Sequence, residues 1–383
     1  MSPENLSHRH PIVLVAGGTG GHVFPAEALA GALRRAGYTL ALFTDRRGTA
    51  WSGALGDVDT HAIRAGRVSG VSMFRRVKGV FDLALGALQS RALLSRLQPS
   101  VVVGFGGYPS VPAMMAASNL GVPTVIHEQN ALVGRANRLL APRVAAIATS
   151  FPKVARLRPE DESKVVLTGN PVREAVQKLR EQPYSEPARG DDIRILVTGG
   201  SQGASVFARV VPEALGRLPE ELRTRISVAQ QARPEDVERV RATYAALAIA
   251  ATVEPFIENL AQRLDRAHVV ICRAGASTCA ELTCAGRPAL LVPYPSAADD
   301  HQTANARAVV EGGGAEMVAE PDFTPETLAA RLKLLFEQPG RLTAMAAAAQ
   351  AAGHKDAAGN LALLVANLVP VQFRAGNGGK AAA

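Results

Sequence analysis

Apolar residues fall along this chain in short unbroken runs that stop at glycine or at polar residues. Ile12 to Ala16 is one such run; a glycine loop follows, then an alanine-rich stretch from Pro25 to Arg35, and Tyr38 to Thr44 is apolar again. A short continuous run bounded by turn residues fits a strand buried on both faces, and strand, loop, helix, strand is the βαβ unit of a parallel sheet. Ser100 to Val103, Thr124 to His127 and Ala145 to Thr149 extend the series. Near Gly169 the texture changes: GNPVR at 169–173 leads to the polar, proline-containing EQPYSEPARGDD at 181–192, which reads as a linker. A second series opens at Ile193 to Val197, with Arg225 to Ala229, Val269 to Cys272 and Ala289 to Val292 as further strands. The pattern predicts an α/β chain of two doubly wound Rossmann-like domains, residues 1–170 and 171–365, with a flexible tail at 366–383. Ligands in such folds gather beyond the carboxyl ends of the strands, so two facing domains would set their loops along one cleft.

Composition agrees with two cores: the chain has 383 residues, 47% of them hydrophobic. Cys272, Cys279 and Cys284 have no histidine or fourth thiol spaced to complete a zinc site, and a reduced, cytosolic setting is expected. The run Ile12 to Ala16 is too short for a signal-peptide core, and Val80 to Leu97, broken by Asp82, Arg91 and Arg96, reads as an amphipathic helix. The net charge of +8 lies wholly in the first half, where residues 1–170 hold 19 Lys+Arg against 10 Asp+Glu. With aromatics at only 4% and no nucleic-acid signature, that excess points to an anionic lipid surface or a phosphorylated substrate.

Candidate chemistry sits in the loops. Gly17-Gly18-Thr19-Gly20-Gly21-His22 lies between a strand and a helix, where backbone amides can approach a phosphate or a sugar. Val23 stands where a dinucleotide fingerprint needs its third glycine; Asp45 alone speaks for a dehydrogenase, a reading that leaves the later glycine loops unexplained. His22 falls in the first helical turn, whose dipole keeps an imidazole neutral and suits a general base; otherwise it bonds its own loop. Gly104-Phe105-Gly106-Gly107-Tyr108-Pro109 opens from a second strand end and His127-Glu128-Gln129-Asn130 from a third. Glu128 is a second candidate acid or base, or a partner of Arg135 or Arg138; Asn130 is a ligand contact or a helix cap. In the second half, Gly199 to Ala204, with Ser201 and Gln202 at its centre, offers a diphosphate cradle to which Arg173 would add a bidentate charge. Glu281 either grips ribose hydroxyls or favours its helix dipole.

Taken in order, GGTGGHVFPA (17–26), GFGGYPS (104–110), HEQNALVGRAN (127–137), GNPVR (169–173), GGSQGA (199–204), CRAGASTCAE (272–281) and HQTANA (301–306) resemble the bacterial MurG family over most of the chain. The resemblance implies GT-B architecture and inverting transfer of N-acetylglucosamine from UDP-N-acetylglucosamine to undecaprenyl-diphosphate-N-acetylmuramoyl-pentapeptide in peptidoglycan synthesis. It further implies peripheral work on the cytoplasmic face of the cell membrane, no cofactor or tightly bound metal, no nucleic acid, and cell-wall or division proteins as candidate partners. By position it assigns Thr19, Gly20, Gly21 and Asn130 to the sugar side, Arg173 and Ser201 to the diphosphate, and Ile257 to the uracil. Ala276, Ser277, Thr278 and Glu281 fall in the nucleoside loop, Gln302 and Asn305 at the sugar hydroxyls, and His22, Tyr108 and Glu128 at the acceptor and catalysis. Two departures are local: Ala229-Gln230-Gln231-Ala232 replaces a common His-Gln-x-Gly run, and Ala208 stands where many members carry Asn. The acidic pair Asp57-Val58-Asp59 reads as a solvated turn. Val68 to Phe81 mixes basic and bulky apolar residues and is a candidate membrane-facing patch, or a charged loop before a core helix.

Overall fold

The structure, a computed structural model, describes residues 10–17, 20–45, 53–66, 73–188, 190–200 and 203–373; of residues 73–78 and 80 it describes the backbone alone. The chain divides into two compact units, one reaching Arg173 and resuming at Asp356, the other Glu174–Lys355.

The first unit holds β1 (Ile12–Val15), β2 (Leu40–Thr44), β3 (Asp59–Ala62), β4 (Val101–Gly104), β5 (Thr124–Glu128), β6 (Ala146–Thr149) and β7 (Val165–Leu167). They form one sheet in the order β3-β2-β1-β4-β5-β6-β7, parallel throughout, with Ile12 level with Leu40 on one side and Val101 on the other. Every side chain of β1 is fully buried because alternate residues serve two cores. Ile12 and Leu14 meet Val23, Ala26, Leu29 and Leu33 of the helix Gly20–Arg35, whereas Val13 and Val15 meet Leu94, Ala113 and Met114 on the other face. A strand sandwiched in this way has no polar face, which is why its sequence does not alternate. Truncating a residue such as Leu29 to Ala would cost about 2–5 kcal/mol through lost contacts and a cavity.

The second unit holds β8 (Ile193–Thr198), β9 (Ile226–Gln231), β10 (Ala250–Glu254), β11 (Val269–Cys272), β12 (Ala289–Leu291) and β13 (Ala315–Met317). Their order is β10-β9-β8-β11-β12-β13, again all parallel.

Several expectations change. The first helix starts at Gly20 and not at Pro25, which lies inside it. Asp59 is no turn residue: it opens β3, an edge strand paired with β2. The sequence expectation assigned residues up to 365 to the second domain, but the helix Ala357–Leu368 buries Leu361 and Val365 in the same core as Ile12 and so returns to the first unit. Residues 366–373 are not a loose tail either, since Phe373 stacks on His10 with ring centroids 3.9 Å apart; Arg374 to Ala383 lie outside the described residues. The helix expected over 80–97 spans Met73–Leu97.

Candidate functional site

In each sheet the strand order reverses once, between β1 and β4 and between β8 and β11. Chains leaving adjacent strands at such a switch point diverge, opening a crevice at their carboxyl ends. The glycine loops of the sequence lie at these two places.

In the first unit, the helix Gly20–Arg35 starts immediately beyond the β1 loop and carries Gly21 and His22 in its first turn. Pro25 has no N–H, so the Gly21 carbonyl lacks its i+4 helical donor. The β4 loop turns through Gly106 (φ +85°) and Gly107 (φ +76°), the left-handed region that penalises any side chain. Both pack against the His22 ring: a Cβ on Gly106 would lie 3.5 Å from its Cε1, and one on Gly107 3.5 Å from its Nε2. Tyr108 follows, half-buried. Arg173 holds its guanidinium carbon 5.1 Å from the centroid of the Phe24 ring, two residues past His22. Arg173 therefore belongs to the first unit, whereas the Gly199–Ala204 loop it was expected to serve belongs to the second.

Beneath these loops lies a buried polar network. Glu128 is 1% exposed. One carboxylate oxygen accepts from the Asn130 backbone N (3.0 Å) and Nδ2 (3.2 Å), the other from the Gly134 backbone N (2.8 Å) and Asn137 Nδ2 (2.8 Å). Burial pushes its pKa up, opposed by these donors. His127 is fully buried and burial lowers its pKa to about 4. It is held as the neutral form: Nε2–H donates to the Gly169 carbonyl (3.1 Å) and Nδ1 accepts from Gln129 Nε2 (3.0 Å). Gln129 also donates to the Phe105 carbonyl (3.0 Å), so this network ties the end of β5 to the β4 loop and to the segment that delivers Arg173. Sequence reading marked the polar run His127-Glu128-Gln129-Asn130 at the end of a buried strand and missed that Asn137 joins it in one network. Asn130 is half-buried on the same loop.

In the second unit, Gly199 and Gly200 follow β8 and Gly203 and Ala204 precede the helix Ser205–Gly216. Gln231, at the end of β9, accepts from Thr198 Oγ1 (3.0 Å) and the Gly199 backbone N (3.2 Å) and donates to the Pro255 carbonyl (3.3 Å). It thereby links the glycine loop to the segment holding Ile257, which is buried. Past β11, Gly275 caps the helix Ala276–Ala285, whose Ala276, Ser277 and Thr278 are half-buried and whose Glu281 is buried. Gln302 Oε1 accepts from the backbone N of Ala274 (3.2 Å) and Tyr294 (2.9 Å). Asn305, expected at a sugar hydroxyl, is fully buried and donates to the Ala274 carbonyl (3.1 Å); it pins the β11 loop from behind. Arg273, which the sequence reading passed over, donates to the Val292 and Pro293 carbonyls (3.2 Å each), pairs with Glu320 at 2.5 Å and lies over the Phe207 and Tyr294 rings. Thr19, Ser201 and Gln202 lie outside the described residues.

Two Rossmann-like units with glycine loops at their switch points make a two-domain GT-B fold, and the family matches make the chain a glycosyltransferase. Residues 12–149 match the glycosyltransferase family 28 N-terminal domain and residues 194–361 its C-terminal domain. The chain is 55% identical to the UDP-N-acetylglucosamine--N-acetylmuramyl-(pentapeptide) pyrophosphoryl-undecaprenol N-acetylglucosamine transferase of Rhodospirillum centenum, over 92% of this chain and 93% of that one. The crystal structure of Acinetobacter baumannii MurG superposes with a TM-score of 0.75 at 29% identity, covering 93% of this chain and 99% of that one. The chain belongs to the MurG family. A UDP-GlcNAc 2-epimerase from Neisseria meningitidis, 13% identical with a TM-score of 0.63 over 92% of this chain and 99% of its own, shares the fold alone.

Proposed function

We propose that this chain transfers N-acetylglucosamine from UDP-N-acetylglucosamine to undecaprenyl-diphosphate-N-acetylmuramoyl-pentapeptide, with inversion at the anomeric carbon. The observation that carries the reading is the pair of glycine loops at the two switch points, in a chain 55% identical over 92% of its length to a transferase named for that reaction. The first unit takes the acceptor and the second the donor. The acceptor oxygen forms its bond to the anomeric carbon as the bond from that carbon to the diphosphate oxygen breaks; the proton goes to His22 and UDP departs with the electron pair. His22 is preferred over Glu128 because all four donors around Glu128 belong to the loop it holds, and it is sealed from solvent. Charge developing on the diphosphate is met by amides of Gly199, Gly200 and Gly203 and by the amino end of the helix Ser205–Gly216.

Among the described residues no helix is long and apolar enough to cross a membrane. We assign the protein to the cytoplasmic membrane face through the helix Met73–Leu97, which exposes Phe81 (62%) and Leu88 (65%) seven residues apart on one face. The side chains of Arg75, Arg76 and Lys78 in its first turns, and residues 68–72 before it, lie outside the described residues. Charge reversal at these three positions is expected to release the protein from anionic vesicles; unchanged binding removes the assignment.

The deciding assay is UDP release from UDP-N-acetylglucosamine with and without a short-chain lipid-diphosphate-muramoyl-peptide. Release only with that acceptor, together with a disaccharide product, is expected. Release without acceptor would mark an epimerase or hydrolase, and tight UDP binding with no turnover a nucleotide-sugar binding protein.

A further inference from the structure

We propose that Arg233 is a phosphate-binding residue of the second unit, reaching the glycine loop after β8 from the end of the neighbouring strand. The proposal rests on the reading of that loop as the diphosphate site. β9 lies beside β8, and the chain leaves it at Gln231 to place Arg233 two residues later. Gly203 adopts a left-handed φ of +65°, and a Cβ there would stand 3.1 Å from Arg233 Cγ. The apolar stem of Arg233 thus lies flat on the loop backbone, which limits where its guanidinium can travel. That guanidinium has no hydrogen bond or ion pair to any described residue, and the carboxylate three residues along, Asp236, is taken by Arg239 at 2.5 Å. The helix that follows the loop has Ala204 at its N-cap with no side-chain cap, and no acid in its first turn. Among the described residues nothing anionic competes for the amides there, and an exposed arginine lays its stem against Gly203 beside them. That combination suits a doubly charged diphosphate, for which arginine's planar fork is the fitting donor.

The test measures binding of UDP and of uridine to the full chain, for the wild type and for Arg233→Ala, Arg233→Gln and Arg233→Lys. Removing the charge is expected to weaken UDP about tenfold while uridine is unchanged, as loss of one charge-assisted contact at a partly solvated site requires. Lysine should recover part of the loss, and added salt should narrow the gap. Equal losses for UDP and uridine would mean that Arg233 only shapes the loop, and an unchanged UDP affinity would mean that it is idle; either overturns the proposal. A wild-type chain that binds no UDP overturns the diphosphate reading itself, an outcome told apart because it precedes any substitution.

Discussion

Glu128→Gln separates a strut from a base. The substitution keeps the shape of the side chain and turns one acceptor oxygen into a donor. Whichever way the new amide turns, its nitrogen faces either both Asn130 donors or those of Gly134 and Asn137. Two buried hydrogen bonds are lost and two donors are left unmatched, each at about 1–3 kcal/mol. Removing a charge whose burial already raises its pKa offsets part of this. A net destabilisation of about 2–4 kcal/mol remains, which in a unit of this size lowers the melting temperature by about 5–15 °C. Calorimetry of the full chain can read it unit by unit, because UDP should raise only the transition of the unit that binds it. In the kinetics, the variant should lose kcat through a loosened 128–137 loop yet keep the acid limb of its kcat/KM profile, whereas His22→Gln should abolish that limb. A Glu128→Gln protein that melts like the wild type and has lost the acid limb would refute the reasoning and make Glu128 the base.

Three further outcomes follow from the same geometry. Gly106→Ala places a methyl group at φ +85° and 3.5 Å from the His22 ring, so stability should fall by about 1–2 kcal/mol and turnover by more than the melting shift explains; a fully active variant would sever His22 from the loop. His127, whose pKa burial lowers from 6.5 to about 4, contributes stability that is full above pH 6.5 and is lost as pH falls towards 4, because the unfolded chain takes up the proton first. The loss is at most about 3 kcal/mol, read as the pH dependence of denaturant unfolding, and His127→Gln should flatten it. Gln231→Ala removes the tie between Thr198, Gly199 and Pro255, so UDP and uridine should weaken together, about tenfold, in contrast to Arg233→Ala; a loss confined to UDP would contradict a purely supporting role.

The strands that carry the glycine loops were legible in the sequence because burial on both faces forces an unbroken apolar run, as in Ile12–Val15 and Val269–Cys272. The edge strands β3 and β10, DTHA and AATVE, were not, since their exposed residues remove the constraint that makes a strand visible. Nor was the return of the helix Ala357–Leu368 to the first unit: its apolar stripe says that it is buried but not against which core. The polar residues at the strand ends pose a different problem. Glu128 was read as a candidate acid or base and Asn305, through the family resemblance, as a sugar contact, and the structure finds each bonded to the backbone of a neighbouring loop. A loop that must present bare amides to a phosphate cannot be held by apolar packing alone, because its own carbonyls and N–H groups need partners. The residues that meet this need are of the same types as those that touch a ligand, Glu128 at the end of β5 and Asn305 on the helix His301–Glu311. Side-chain direction, which composition and spacing do not encode, divides them: Asn305 is buried and bonds the β11 loop at the Ala274 carbonyl, whereas Arg233 is exposed with its stem against Gly203 of the β8 loop.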